Sequence, residues 1–217
     1  PRDENQMASV FLRWAFPPAG LEVYGEFLRE DFGRDVRHAF EEPDDLSGRM
    51  FGLQKTLELS GARIIAIRGE VVNSELHHSE RMDRYGRPGS VPRPYPRYVH
   101  LGKVPQGHTQ LGQILGSPAA YGGSGWTLGV DTYDQGGRWT IDLSRTEITD
   151  WLWSHFGTVG PGIADVIYAL NLEAVRFARG MEWAARVTPS LNLNRNVEEG
   201  NDVFNLSVSF GVRGIPW

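Results

Sequence analysis

The connections in this chain alternate strictly in length. Segments in which apolar and polar residues take turns are joined by short turns at Pro17–Gly20, Ser60–Gly61, Asp134–Gly137 and Gly180–Met181. Between these come long stretches at about residues 30–47, 76–123, 150–163 and 194–202. A soluble sandwich has no reason to sort its loops by side. A transmembrane β-barrel does, because tight turns lie on the periplasmic side and long loops face outward.

Nine segments carry the period of a strand. The last sets Phe204, Leu206, Val208, Phe210 and Val212 against Asn205, Ser207, Ser209 and Gly211. Similar alternation runs through Val10–Phe16, Leu21–Phe27, Trp126–Asp131, Trp139–Thr146 and Trp183–Asn194. The third and fourth segments, about residues 49–59 and 62–74, alternate less cleanly, and Ile64, Ile65 and Ile67 suggest burial on both faces. The seventh, about residues 165–179, contains the helix formers Leu170–Arg176. The tight turn at Gly180, which leads straight into a clear strand, favours a strand there.

Composition agrees with an all-β unit. The 217 residues include 26 Gly, 7 Trp, 7 Tyr and 10 Phe. Hydrophobic content is 40% and mean hydropathy −0.36, with no stretch approaching the roughly 18 apolar residues of a membrane helix. Barrel strands are apolar on one face only, so a soluble-looking average does not exclude them. There is no cysteine, which excludes disulfides and thiolate metal sites. A net charge of −5 without a long basic cluster argues against nucleic acid as a partner. No signal peptide is visible at Pro1–Glu4, which suggests a fragment or processed piece.

The polar faces gather Arg13, Glu22, Glu26, Arg68, Glu70, Asp131, Asp142, Glu173 and Arg186, expected as lumen charges that pair across a barrel interior. A charge facing lipid near the midplane would cost about 2–4 kcal/mol. A soluble sheet with a solvated face explains the alternation equally well, but not the loop sorting or the aromatic Trp217 at the chain end. Nine is odd, whereas single-chain bacterial barrels have even strand numbers. The expectation is therefore part of a barrel, with short turns and the C-terminus periplasmic.

Several blocks resemble the Wzi-type capsule assembly family of the Gram-negative outer membrane. These are Phe11-Leu12-Arg13-Trp14-Ala15-Phe16-Pro17 with Gly20-Leu21-Glu22-Val23-Tyr24-Gly25-Glu26, Asp35-Val36-Arg37 leading to Glu42-Pro43, Gly52-Leu53-Gln54-Lys55, and Gly107–Gly116. The resemblance covers most of the chain in scattered blocks. It implies the C-terminal half of an eighteen-stranded barrel, whose N-terminal half would be the natural partner. It also implies a lectin-like role in attaching capsular or other surface polysaccharide at the outer membrane, in contact with outer-membrane lipid. The long loops match no family pattern, and related barrels occur in bacteria without a known capsule.

Candidate polysaccharide-binding residues lie in those loops: Arg84, Tyr85, Arg93, Tyr95, Arg97 and Tyr98 in the longest, and Trp151 and Trp153 in the next. Aromatic faces stack on sugar rings while Arg bonds hydroxyls and carboxylates. The same loop residues could instead pack a plug, and Trp151 and Trp153 suit an interfacial aromatic girdle better than a sugar site. Trp14, Trp126, Trp139 and Trp183 are also girdle or lipid-face candidates.

His77, His78, His100 and His108 have no spacing that fixes a tetrahedral metal set. Ser79 near His78 and Asp83 lacks a nucleophile elbow. The 122–125 Gly-Gly-Ser-Gly run lacks the Lys and helix of a phosphate loop. The expectation is a non-catalytic protein without metal or cofactor. The alternatives are a porin-type diffusion channel and a soluble β-sheet carbohydrate-binding module.

Overall fold

The computed structural model describes residues 7–30, 37, 40, 47–75, 109–110, 113–114, 119, 122–148 and 163–214. Within them the period-2 segments become long strands. In chain order these are β1 (Met7–Phe16), β2 (Leu21–Glu30), β3 (Ser47–Leu59), β4 (Arg63–Asn73), β5 (Thr109–Gln110), β6 (Gln113–Ile114), β7 (Ser124–Asp134), β8 (Gly137–Ile148), β9 (Asp165–Ala178), β10 (Met181–Leu193) and β11 (Val203–Gly214). All but β5 and β6 form one antiparallel sheet in the order β1-β2-β3-β4-β7-β8-β9-β10-β11. Each strand pairs with its chain neighbours in that sheet, and β1 and β11 are open edges. β5 and β6 pair with each other inside the longest connection, where the sequence pattern showed no strand.

This meander sorts the connections by construction. The tight turns after β1, β3, β7 and β9 lie at one end of the sheet, and the long connections at the other. Local chemistry builds the turns. Arg179 and Gly180 both have positive φ (53° and 71°), the pair that a two-residue type I′ hairpin needs. At the β7–β8 turn Asp134 accepts the Gly136 N–H at 2.7 Å. Gly137 follows at φ 144°, where an added Cβ would lie 1.9 Å from the Val175 carbonyl oxygen.

β9 is a strand along its full length despite Leu170–Arg176. Cross-strand pairing overrides propensity there: Leu172 sits between Ile141 and Val187, and Glu173 between Thr140 and Arg186. The expected double-sided burial of the β4 isoleucines is not met. Ile64 and Ile67 point to opposite faces and are 39% and 42% exposed.

The burial is inverted relative to a soluble sheet. One face carries Val10, Leu12, Trp14 and Phe16 of β1, Phe51 and Leu53 of β3, Leu128 of β7, Trp139, Ile141 and Leu143 of β8, and Phe204–Val212 at alternate positions of β11, all exposed. Asp131 and Thr140, only 5% and 6% exposed, lie on the opposite face.

Candidate functional site

Among the described residues most charged side chains of the sheet gather on the polar face. The register puts Arg13, Glu22, Glu26, Arg68, Glu70, Asp131, Asp142, Glu173 and Arg186 all on it. Cross-strand pairs connect most of them. Arg13 grips Glu22 with two hydrogen bonds of 2.8 Å between β1 and β2. Arg68 pairs with both Asp131 and Asp142 across β4, β7 and β8. Thr140 donates to Asp131 at 2.5 Å, and the Asn171 amide donates to Asp142 at 3.1 Å. Glu173 is held between Arg138 and Arg186.

Two of these contacts skip a strand, and both use a buried glycine. Tyr24 faces Gly52, which faces Glu70, and the Tyr24 hydroxyl crosses Gly52 to donate to Glu70 at 2.9 Å. A Cβ on Gly52 would come within 2.1 Å of the Tyr24 ring. Likewise Arg68 faces Gly129, which faces Asp142, and a Cβ on Gly129 would lie 2.8 Å from the Arg68 guanidinium carbon. Glycine inside a strand here marks a close approach rather than a weak point.

Several members of this belt were not among the sequence candidates. Tyr24, Arg138, Asn171, Thr188, Glu182 and Arg213 share the face, with Thr188 donating to Asn171 at 3.2 Å and Arg213 to Glu182 at 2.6 Å. The available signal was parity: each lies an even number of residues along its strand from a polar residue that alternation already puts on that face. What alternation lacks is register, which decides who reaches whom.

On the opposite face the four described tryptophans occupy a common position. Trp14 is third from the end of β1, while Trp126, Trp139 and Trp183 are each third from the start of their strands. Trp14, Trp139 and Trp183 therefore line the tight-turn end, and Trp126 the long-connection end. Ring contacts extend the rows, with Trp14 and Phe16 centroids 6.0 Å apart and Trp183 and Phe210 6.1 Å apart. Charge on this face lies mostly near its two ends; Lys55 of β3 sits between Leu53 and Leu57 and turns its ammonium to the Ala19 carbonyl by the β1–β2 turn. Arg176 pairs with Asp134 at 2.9 Å by the β7–β8 turn. Arg145 pairs with Glu147 at 2.6 Å near the long connections, and lies 6.0 Å from the Tyr168 ring centroid.

The longest connection is anchored where it rejoins the sheet. Buried Ser74 follows β4, with its hydroxyl 2.5 Å from the Ala119 carbonyl and accepting the Gly122 N–H at 3.3 Å. Arg84, Tyr85, Arg93, Tyr95, Arg97, Tyr98, Trp151 and Trp153 lie outside the described residues, as do His77, His78, His100, His108 and Trp217. Among the described residues no group of three or more His, Cys, Asp or Glu gathers to hold a metal, and no helix is long and apolar enough to cross a membrane. Comparison with protein-family models, with curated proteins and with solved structures finds no match to this chain.

Proposed function

We propose that this sheet is the C-terminal half of an outer-membrane β-barrel of the Wzi type, binding surface polysaccharide in capsule attachment without catalysis. The observation that carries the reading is the inverted sheet: an exposed apolar face backed by an ion-paired polar face. Nine strands about 4.8 Å apart carrying a band about 25 Å tall give an apolar footprint of about 1,000 Å². A monomeric soluble protein leaves only a few hundred Å² bare. Lipid covers such a face without further protein. The strands, 10 to 14 residues long in the main sheet, meet or exceed the roughly 9–11 residues that a tilted membrane strand needs.

The open edges fit the same reading. β1 and β11 run in the same direction, so an all-antiparallel closure takes an odd number of further strands. A nine-stranded N-terminal half supplies that number and brings the total to eighteen, an even count. The polar face then becomes the lumen wall, the long connections face the cell exterior, and the C-terminus is periplasmic. The aromatic and Arg-bearing stretch 77–98 would grip the polymer.

Deleting His77–Tyr98 from the full-length protein tests the polysaccharide role. Loss of capsule retention at the cell surface, with the protein still folded in the outer membrane, is expected. Unchanged retention contradicts the role of this loop. Ion conduction across planar bilayers without glycan binding would mark the porin-type channel instead, and solubility without detergent the soluble carbohydrate module.

A further inference from the structure

One carboxylate at the long-connection end of the polar face is buried without a counter-charge among the described residues. Asp165, the first residue of β9, is 8% exposed. Its Oδ2 accepts the Asn196 N–H at 2.9 Å. Its Oδ1 is shielded from solvent and has no hydrogen-bond partner. Among the described residues no Lys or Arg pairs with it. Asn192 on β10 faces Ile167, so its side chain shares the polar face with Asp165, one diagonal step away. The Asn192 Oδ1 is likewise buried and unpartnered. Two orphaned acceptor oxygens thus occupy neighbouring positions, one of them on an ionisable group. A buried charge in that state is costly unless something positive meets it.

Diagonal neighbours of a sheet lie about 7 Å apart. Two oxygens bound to one Ca²⁺ at about 2.4 Å each sit up to about 5 Å apart, a span that two short side chains at such positions can bridge. The donors are a carboxylate and an amide carbonyl, both hard oxygens, which selects calcium over zinc or copper.

The loop beside them is where such an ion would act. Asn194 bridges the strand ends, its Nδ2 donating to the Ala164 carbonyl at 3.3 Å and its Oδ1 accepting the Gly200 N–H at 3.0 Å. Asn196 then delivers its amide to Asp165.

We propose that Asp165 Oδ1 and Asn192 Oδ1 are ligands of an oxygen-coordinated divalent cation, Ca²⁺ by ligand type, that ties the Asn194–Asp202 connection to the ends of β9 and β10. The site stands independently of the polysaccharide reading. The alternative is that the two oxygens bind no cation.

Hydrogen exchange of the 194–202 amides, measured on the full-length protein at neutral pH with calcium chloride or with EDTA, separates the two. Calcium should slow exchange about tenfold relative to EDTA. Asp165→Asn should abolish the calcium response, because the neutral amide can bond Asn192 without a cation. Asn192→Asp, which adds a ligand charge, should keep the response at lower calcium concentration, and it also serves if Asp165→Asn does not fold. Equal exchange with calcium and EDTA in the wild type overturns the proposal. So does a calcium response undiminished in Asp165→Asn, or protection gained only on acidification without a cation.

Discussion

Gly52 and Gly129 decide how the polar face is wired. Each lies under a side chain that reaches over it to the next strand, so a methyl at either position has no room. Gly52→Ala should destabilise the protein by about 1–3 kcal/mol through overpacking against the Tyr24 ring, measured by urea unfolding of the full-length protein in detergent. Loss of under about 0.5 kcal/mol would mean that the ring is free to swing away. Arg68 carries more. Its partner Asp131 has a side chain only 7% exposed, so Arg68→Met leaves a buried carboxylate uncompensated. The expected cost is about 3 kcal/mol. A double-mutant cycle with Asp142→Asn should show coupling, and additive effects would contradict the shared bridge. None of this wiring was legible in the sequence. Alternation places Arg68 and Asp142 on one face, but residues 74 positions apart meet only once register is known.

Among the elements, the strands were the most legible part. All nine segments appear, and the ambiguous one around Leu170–Arg176 resolves as strand because neighbours on both sides take its apolar residues. The β5–β6 pair was not foreseen, since two-residue strands leave no period to read. The loop residues expected to touch sugar fall outside the described segments. The Asp165–Asn192 pair carried no motif, because its partners come from different strands. The two faces of β11 make the element-scale prediction. Val208→Arg, on the exposed apolar face at mid-strand, should cost about 2–4 kcal/mol in a lipid-embedded barrel. Ser207→Arg, one residue away on the polar face, should cost less than about 1 kcal/mol. Unfolding in lipid vesicles reads both. Equal, small effects would mean that water rather than lipid meets the Val208 face.

At the scale of the whole molecule, one geometric fact organises the rest: polar and ion-paired on one face of the sheet, apolar on the other, with every long connection at one end. Sequence alternation revealed both faces but not which one the sheet hides, because period-2 patterning is identical for a soluble sheet and a barrel wall. The structure adds the exposures: Asp131 and Thr140 are among the least exposed residues while Phe210 and Val208 are among the most exposed. The most direct test is the electrophoretic mobility of the full-length protein extracted from outer membranes, run with and without boiling. A detergent-extracted band that migrates faster unboiled than boiled is the predicted result, because an intact barrel stays compact in the gel. A protein recovered without detergent, with one mobility under both conditions, would contradict the membrane-spanning sheet.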